Sequence, residues 1–194
     1  MLIWKRHKKF ICKSLFLLIA ATAVVASYVG FLQLTGNFHA VVVGEIYRSA
    51  QPTETQIAEY KALYGIQTII NLRGKNIGDP WYDKEVETAR RLEIKHIDFG
   101  MSASQELSQE QAETLIRLLE KAPKPMLIHC MSGADRTGLA AALYLAAISR
   151  QGEIAAERQL SIRYGHFGIP HLSSAYAMER TFEKLEPWLG FSGS

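Results

Sequence analysis

The stretch Met126-Leu-Ile-His-Cys-Met-Ser-Gly-Ala-Asp-Arg-Thr-Gly138 decides the fold of this chain of 194 residues. It opens with a short apolar run from Met126 to Ile128, preceded by two prolines, which predicts a buried strand. Residues 139–147 are rich in alanine and leucine, which predicts a buried helix. A tight loop therefore joins a strand to a helix. Cys130 begins this loop, and Arg136 follows after five intervening residues.

A loop of this kind favours anions. Backbone N–H groups in a strand-to-helix turn point inward, and the helix that follows adds the positive end of its dipole. Gly133 lets the backbone close up where a side chain would obstruct it. The predicted phosphate-binding residues are therefore those of the loop itself: Met131, Ser132, Gly133, Ala134, Asp135 and Arg136.

The loop side chains have distinct predicted roles. A cysteine beside a helix N-terminus and an arginine is favoured as the thiolate, so Cys130 is predicted to attack phosphorus and form a covalent intermediate. Arg136 has a planar fork that can hold two phosphoryl oxygens into the transition state. Thr137 is predicted to stabilise the thiolate through its hydroxyl, and His129 to orient the loop through hydrogen bonds. A buried structural cysteine with a helix-capping arginine is the alternative interpretation.

His129-Cys130-x-x-Gly133-x-x-Arg136-Thr137-Gly138 resembles the signature of cysteine-dependent protein tyrosine and dual-specificity phosphatases. The form with Asp135 before the arginine is most similar to bacterial and fungal members that act on phosphotyrosine, phosphoinositides or inositol phosphates. A second segment, Tyr47-Arg-Ser-Ala-Gln-Pro52, resembles the opening of the same phosphatases. The resemblance implies hydrolysis of phosphomonoesters through a cysteinyl-phosphate.

Cleavage of a phosphoester also requires an acid that protonates the leaving oxygen. The resemblance implies an aspartate about thirty residues before the cysteine, for this acid role, and Asp98 is the nearest by count. Aligning the preceding strand by its pattern places the usual position at residues 101–103, where no carboxylate stands. Asp135, inside the loop, is preferred narrowly as the acid over Asp98, with Glu106 as a third candidate.

The N-terminal end predicts a membrane segment. Five basic residues precede any acidic one, and residues 14–34 carry no charge. About 20 apolar residues can cross a bilayer, and basic residues stay on the cytoplasmic side. Residues 1–36 are therefore predicted to be a basic end plus anchor in the inner membrane of a bacterium, with the catalytic domain, residues 37–194, facing the periplasm. The alternative is a signal peptide cleaved near Val24-x-Ala26, which releases the domain into the periplasm.

The composition argues against several other classes of ligand. The net charge of +3 arises from the N-terminal basic cluster, so no nucleic-acid surface is expected. His166 and His171 share their spacing with no carboxylate or cysteine, so we expect no metal site. No cofactor is expected, and Cys12 and Cys130 leave no disulfide within the catalytic domain.

Strands alternate with helices along residues 37–194, which predicts an α/β sandwich with a mainly parallel central sheet flanked by helices. The resemblance implies the dual-specificity-phosphatase version of this sandwich, here preceded by one transmembrane helix. Thr53 and Gln56 predict a capping box for a helix that Gly65 ends, and Ser108 predicts another N-cap. A further helix is expected over residues 153–163.

Three cationic side chains outside the loop have open roles. Arg48 is favoured as a structural ion-pair partner over a contributor to the rim of the site. Arg73 and Lys75 follow a predicted strand, so they can face the phosphate or remain solvated loop charges.

The leading hypothesis is a membrane-anchored phosphatase of the tyrosine or dual-specificity type, whose partners are a phosphorylated protein, lipid or inositol phosphate. A pseudophosphatase that binds phosphorylated ligands without turnover is the alternative from another class, because the usual acid position is empty. A sulfurtransferase with a loop cysteine fits the Arg-Thr-Gly ending less well.

Overall fold

The computed structural model describes the backbone of residues 2–191 and the side chains of residues 13–191. The chain forms two compact units, the first ending at Thr35 and the second beginning at Gly36. The first unit contains one helix, α1 (Leu2–Leu34). Its part Lys13–Leu34 is 22 residues long with a mean hydropathy of 2.3, which is long and apolar enough to cross a membrane. A signal sequence has the same properties, so this helix is a candidate span only.

The second unit alternates strands and helices. Its strands are β1 (His39–Val42), β2 (Ile46–Ser49), β3 (Thr68–Asn71), β4 (Lys95–Asp98) and β5 (Met126–His129). Its α-helices are α2 (Glu54–Tyr64), α3 (Pro80–Arg91), α4 (Gln109–Lys121), α5 (Asp135–Leu143), α6 (Glu153–Glu157) and α7 (Tyr176–Leu189). A π-helical turn, Tyr144–Ile148, continues α5.

The five strands form one mixed sheet in the order β1-β2-β5-β3-β4. Only β1 pairs antiparallel; the other three strand pairs are parallel, so the expected mainly parallel sheet is found. The central strand β5 is fully buried, which explains its unbroken apolar run. Ser49 and Asn71 lie in register with His129, at the carboxyl ends of β2 and β3. The loop after β5 therefore starts between two other strand ends.

Helices cover both faces of the sheet. Because side chains alternate along a strand, Ile70 and Ile128 pack into the core that contains α4, α5 and α7, whereas Ile69 and Leu127 pack with α2 and α3. The two buried clusters hold β5 from either side, and this fixes the position of the loop that follows it.

Local sequence signals set several helix ends. Thr53 and Gln56 form the predicted capping box of α2, and Gly65 ends that helix with φ of +69°. Ser108 forms a second capping box, at α4.

The helix expected over residues 153–163 is wrong beyond Glu157, where α6 ends; a separate 3-10 turn follows at Ile162–Tyr164. The chain leaves the helix at this point because the backbone carbonyl and the side chain of Gln159 both accept hydrogen bonds from the buried Arg48.

Candidate active site

The loop from Cys130 to Arg136 connects β5 to α5 and presents free N–H groups. Cys130 is 1% exposed at its base, and α5 begins at Asp135 without a side-chain cap. Within the described residues, the amides of residues 131–133 and 135–137 donate to no protein acceptor. Unsatisfied amides at a helix N-terminus form an anion site, so these six groups can surround a phosphoryl group above the sulfur.

Arg48 shapes this loop from beneath. It is fully buried and donates to Gly133 O at 2.8 Å and Ala134 O at 3.3 Å. Its guanidinium also stacks on the Tyr164 ring, 3.8 Å from the centroid. Burial lowers the pKa of Arg48 to about 10, so the group remains a cation at neutral pH. Because the loop carbonyls turn toward Arg48, the neighbouring amides are free to face the other way. The structural role that the sequence favoured for Arg48 agrees with these contacts.

Two further residues fix the loop backbone. Gly133 has φ of +73°, and a Cβ there would lie 2.6 Å from Ala50 N and from Ser49 C. Only glycine therefore fits between the loop and the end of β2. Asn37 Nδ2 donates to Ser132 O at 3.0 Å and to Tyr164 O at 2.9 Å. No role for Asn37 was predicted from the sequence; its position after Gly36 at a left-handed turn is the available signal.

His129 is held by an acidic side chain that sequence reasoning also missed. Its Nε2 lies 3.1 Å from Glu85 Oε1, and its Nδ1 lies 3.3 Å from Cys130 O. Both ring nitrogens lie near an oxygen atom, and these two contacts fix the orientation of the ring. Glu85 is 1% exposed and also contacts His96 at 2.7 Å. The signal in the sequence is a glutamate on the buried face of α3, which also carries Tyr82 and Ala89.

The pKa of Glu85 follows from these contacts. Burial alone would raise it, but the charges and hydrogen bonds of His129 and His96 outweigh burial and lower the pKa to about 2. Glu85 is thus ionised, and its carboxylate holds the His129 ring next to Cys130. This arrangement agrees with an orienting role for His129.

Arg136 and Thr137 begin α5 with few protein partners. The closest contact of the Arg136 guanidinium is Met101 O, 3.5 Å from Nη1, and its Nε is buried without a partner. No carboxylate among the described residues forms an ion pair with it. The Thr137 hydroxyl is also buried without a hydrogen bond, so the predicted contact with Cys130 sulfur is not made in this structure. Both groups are left able to bind an anion or a thiolate.

A second arginine lies at the same edge of the sheet. Arg73 follows β3; its Nη1 donates to Gln51 Oε1 at 2.9 Å, and its guanidinium lies 3.4 Å above the Trp81 ring. Burial and the nearby charge of Arg136 lower the pKa of Arg73, whereas the charges of Glu85, Cys130 and Asp79 oppose this shift. The end of β3 lies in register with His129, so Arg73 lies at the same edge of the sheet as the start of the loop. Lys75 is exposed.

Two of the three acid candidates, Asp98 and Glu106, are engaged in structural contacts. Asp98 accepts from Tyr82 Oη at 2.6 Å and from Asn71 Nδ2 at 2.9 Å, which occupies both carboxylate oxygens. Glu106 contacts Lys184 and accepts from Arg180 Nε at 2.6 Å. The hydrogen bonds from Lys184 and Arg180 lower the pKa of Glu106, so it is held ionised.

Asp135 differs from these two. Its Oδ1 lies 2.7 Å from Nδ1 of the buried His166, and Oδ2 has no hydrogen bond within the described residues. The side chain is 25% exposed, within the loop itself. Asp135 therefore has one carboxylate oxygen fixed and one available.

The two histidines weighed as metal ligands are separate: His166 is buried on Asp135, and His171 is exposed. In the part of the chain that the structure describes, one group of side chains has a spacing that suits a metal ion: Glu153, Glu157 and Glu186. It lies on α6 and α7, outside the loop.

The family model described as "DSP-PTPase phosphatase fused to NAD+ Kinase" matches residues 36–175. No curated protein matches the chain.

Solved structures share the fold. TpbA of P. aeruginosa has a TM-score of 0.60 and 20% identity, with 80% of this chain and 92% of that chain covered. TpbA in complex with phosphotyrosine has a TM-score of 0.59 and 18% identity, with 76% of this chain and 83% of that chain covered. The third structure is the core catalytic domain of the PP-IP phosphatase Siw14 from S. cerevisiae in complex with citrate. It has a TM-score of 0.56 and 19% identity, with 79% of this chain and 93% of that chain covered. At these identities the similarity concerns the fold.

Proposed function

We infer the function from the family to which this chain belongs, the DSP-PTPase phosphatases: it is a cysteine-dependent phosphatase of the dual-specificity type, a phosphoric monoester hydrolase. The observation that carries the proposed mechanism is the set of six loop amides without acceptors around Cys130. Such preorganised donors act on a charge that spreads over phosphoryl oxygens as the ester bond breaks.

In the proposed mechanism, Cys130 thiolate attacks phosphorus in line with the leaving oxygen and forms a cysteinyl-phosphate. The amides of residues 131–133 and 135–137 and the guanidinium of Arg136 hold the phosphoryl oxygens. The uncommitted guanidinium of Arg136 supports this role, because a fork already paired with a carboxylate would be unavailable. Thr137 donates its buried hydroxyl to the sulfur when the thiolate leaves, which would satisfy an otherwise unpaired donor. His129 orients the loop.

We assign the acid role to Asp135 rather than Asp98. Both oxygens of Asp98 accept structural hydrogen bonds, whereas Asp135 Oδ2 is unengaged and lies in the loop. In the first step Asp135 gives its proton to the leaving oxygen. In the second step it takes a proton from the water that attacks the phosphorus, and the P–S bond breaks to restore the thiolate.

The proposed substrate is a phosphomonoester on a protein tyrosine, with an inositol phosphate or phospholipid headgroup as the alternatives. Arg73 supports a substrate that carries negative charge beyond the transferred phosphoryl group, because it follows the strand that pairs with β5 and has no ion-pair partner among the described residues. The stacked Trp81 adds an aromatic surface next to it.

We also propose that α1 anchors the protein in the inner membrane of a bacterium, with residues 37–194 in the periplasm, or that it is a signal peptide that releases them there. The apolar length of Lys13–Leu34 and the basic residues before it support both versions. The molecular mass of the mature chain distinguishes the two.

The test uses the full-length chain purified in detergent. Wild type should hydrolyse p-nitrophenyl phosphate, lose this activity with vanadate, and yield a labelled cysteinyl-phosphate after acid quenching with a radioactive substrate. Cys130→Ser should abolish hydrolysis and labelling, whereas Cys12→Ser, which alters the other cysteine, should retain both. Turnover by Cys130→Ser at the wild-type rate would refute the mechanism. A panel of phosphotyrosine peptide, inositol phosphate and phosphoinositide then assigns the substrate class.

A further inference from the structure

A buried histidine connects the phosphate loop to α7. His166 is 2% exposed and lies between two carboxylates. Its Nδ1 is 2.7 Å from Asp135 Oδ1, and its Nε2 is 3.5 Å from Glu179 Oε1. Neither His166 Nε2 nor Glu179 Oε2 has a hydrogen-bond partner within the described residues, although both atoms are buried. Unpaired buried polar atoms are costly, so this arrangement calls for a functional explanation.

The surrounding backbone confines Glu179 to this position. A Cβ on Gly168 would lie 1.8 Å from Glu179 Oε2, so the absence of a side chain at residue 168 admits the carboxylate. Burial raises the pKa of Glu179; the charge of His166 opposes this shift, and the negative charges of Glu183 and Asp135 reinforce it. Glu179 therefore holds a proton more readily than an ordinary glutamate does.

The proposed function requires a source of the proton that Asp135 gives to the leaving oxygen, and His166 is placed to supply it. A carboxylate must gain a proton before it can act as an acid toward the leaving oxygen. The imidazole Nδ1 of His166 lies 2.7 Å from Asp135 Oδ1, a distance at which a proton can pass between the two atoms.

We propose that His166, backed by Glu179, is the proton source for Asp135. This inference rests on the proposed function. The proton on His166 Nδ1 passes to the carboxylate of Asp135, and the carboxyl group so formed gives a proton to the leaving oxygen, which takes the bonding electrons of the broken P–O bond while the S–P bond forms. Glu179 Oε1, 3.5 Å from His166 Nε2, faces the imidazole from its other side and holds the ring in place. When water attacks the cysteinyl-phosphate, its proton returns to Asp135 and His166, so the cycle closes without a net gain or loss. His166 touches no reacting atom and is a positioning residue.

The dependence of rate on the leaving group tests the relay. Nitrophenolate leaves without a proton, whereas the leaving group of phenyl phosphate needs one. His166→Asn keeps a donor near the Nδ1 position but cannot exchange a proton. In the full-length chain we expect its ratio of kcat/KM for phenyl phosphate to kcat/KM for p-nitrophenyl phosphate to fall about 100-fold, within the range of general acid catalysis; kcat/KM is used because it excludes the hydrolysis of the cysteinyl-phosphate, which both substrates share. The pH dependence of kcat for phenyl phosphate should also change shape.

Matched variants separate the possible outcomes. His171→Asn, which alters an exposed histidine on the same segment, should keep the wild-type ratio. Glu179→Gln should lower the ratio in the same direction by a smaller factor, and it provides the test if His166→Asn does not fold by circular dichroism. An equal loss of kcat/KM with both substrates, or no loss with either, would overturn the relay. The proposed function would still hold in that case, provided that wild type shows the Cys130-dependent labelling. Absence of that labelling overturns the proposed function instead.

Discussion

Replacing Glu85 by glutamine tests the electrostatics beneath the phosphate loop. Glu85 is 1% exposed and lies against two histidines, His129 at 3.1 Å and His96 at 2.7 Å. Glutamine has nearly the same shape and can still accept hydrogen bonds, but it carries no charge. The variant therefore isolates the contribution of the ionised carboxylate to stability and to the orientation of His129.

The magnitude follows from the pKa of Glu85. It falls from 4.5 to about 2 in the folded chain, since the two histidines outweigh the effect of burial. At about 1.4 kcal/mol per pKa unit, this shift corresponds to roughly 3 kcal/mol of stability. A depressed carboxyl pKa stabilises the fold above the unfolded value of 4.5, and this stabilisation is lost as the pH falls from 4.5 towards 2. The free energy of unfolding of wild type should thus exceed that of Glu85→Gln by about 2 to 3 kcal/mol at pH 7, and the difference should shrink below pH 4.5.

Urea denaturation followed by tryptophan fluorescence measures this difference at pH 7, 5, 4 and 3. Glu59→Gln, which removes one negative charge from an exposed site on α2, is the control and should match wild type within about 0.5 kcal/mol. A difference between wild type and Glu85→Gln that stays constant from pH 7 to pH 3 would refute the reasoning, because it would mean that the two histidines do not hold Glu85 ionised.

Three further substitutions test the loop and its surroundings. Arg48→Met should destabilise the fold by about 3–5 kcal/mol, since it leaves the Gly133 and Ala134 carbonyls buried without their donor; an unchanged urea midpoint would contradict this. Gly133→Ala should lower kcat and reduce the free energy of unfolding by about 1–3 kcal/mol, because the added Cβ would lie 2.6 Å from backbone atoms. Gly78→Ala is the control for backbone strain in both kinetics and denaturation, because Gly78 also has a positive φ but has open space around it. Arg73→Ala should raise KM by about 10-fold with little change in kcat if Arg73 binds substrate uniformly, and an equal fall in kcat would argue for a role in the transition state.

Local sequence patterns predicted much of this fold. The capping box at Thr53, the N-cap at Ser108 and the helix end at Gly65 formed where expected, since each depends on neighbours within a few residues. The buried strand at Met126–His129 formed as well, because its apolar run leaves few other conformations. The helix expected to residue 163 was too long, since the contact that ends it, Arg48 with Gln159, spans more than a hundred residues of sequence.

In the functional loop, too, the features set by neighbouring residues were predicted, whereas those set by contacts distant in sequence were not. The order of Cys130, Gly133 and Arg136 predicted an anion-binding loop, because loop conformation and helix dipole are local properties. The supporting residues Glu85 and Asn37 could not be predicted, since each reaches the loop from a different element. The choice among acid candidates also depended on contacts distant in sequence, such as those of Tyr82 with Asp98.

The sequence by itself determined that an electropositive loop with a buried cysteine joins a strand to a helix, because backbone amides and nearby residues create that environment. Only the tertiary structure decided which side chains hold the loop open from below, and that Asp135 faces His166. The physical reason is that hydrogen bonds between side chains depend on which strand ends and helices meet, and that follows from packing of the whole sheet rather than from any one segment.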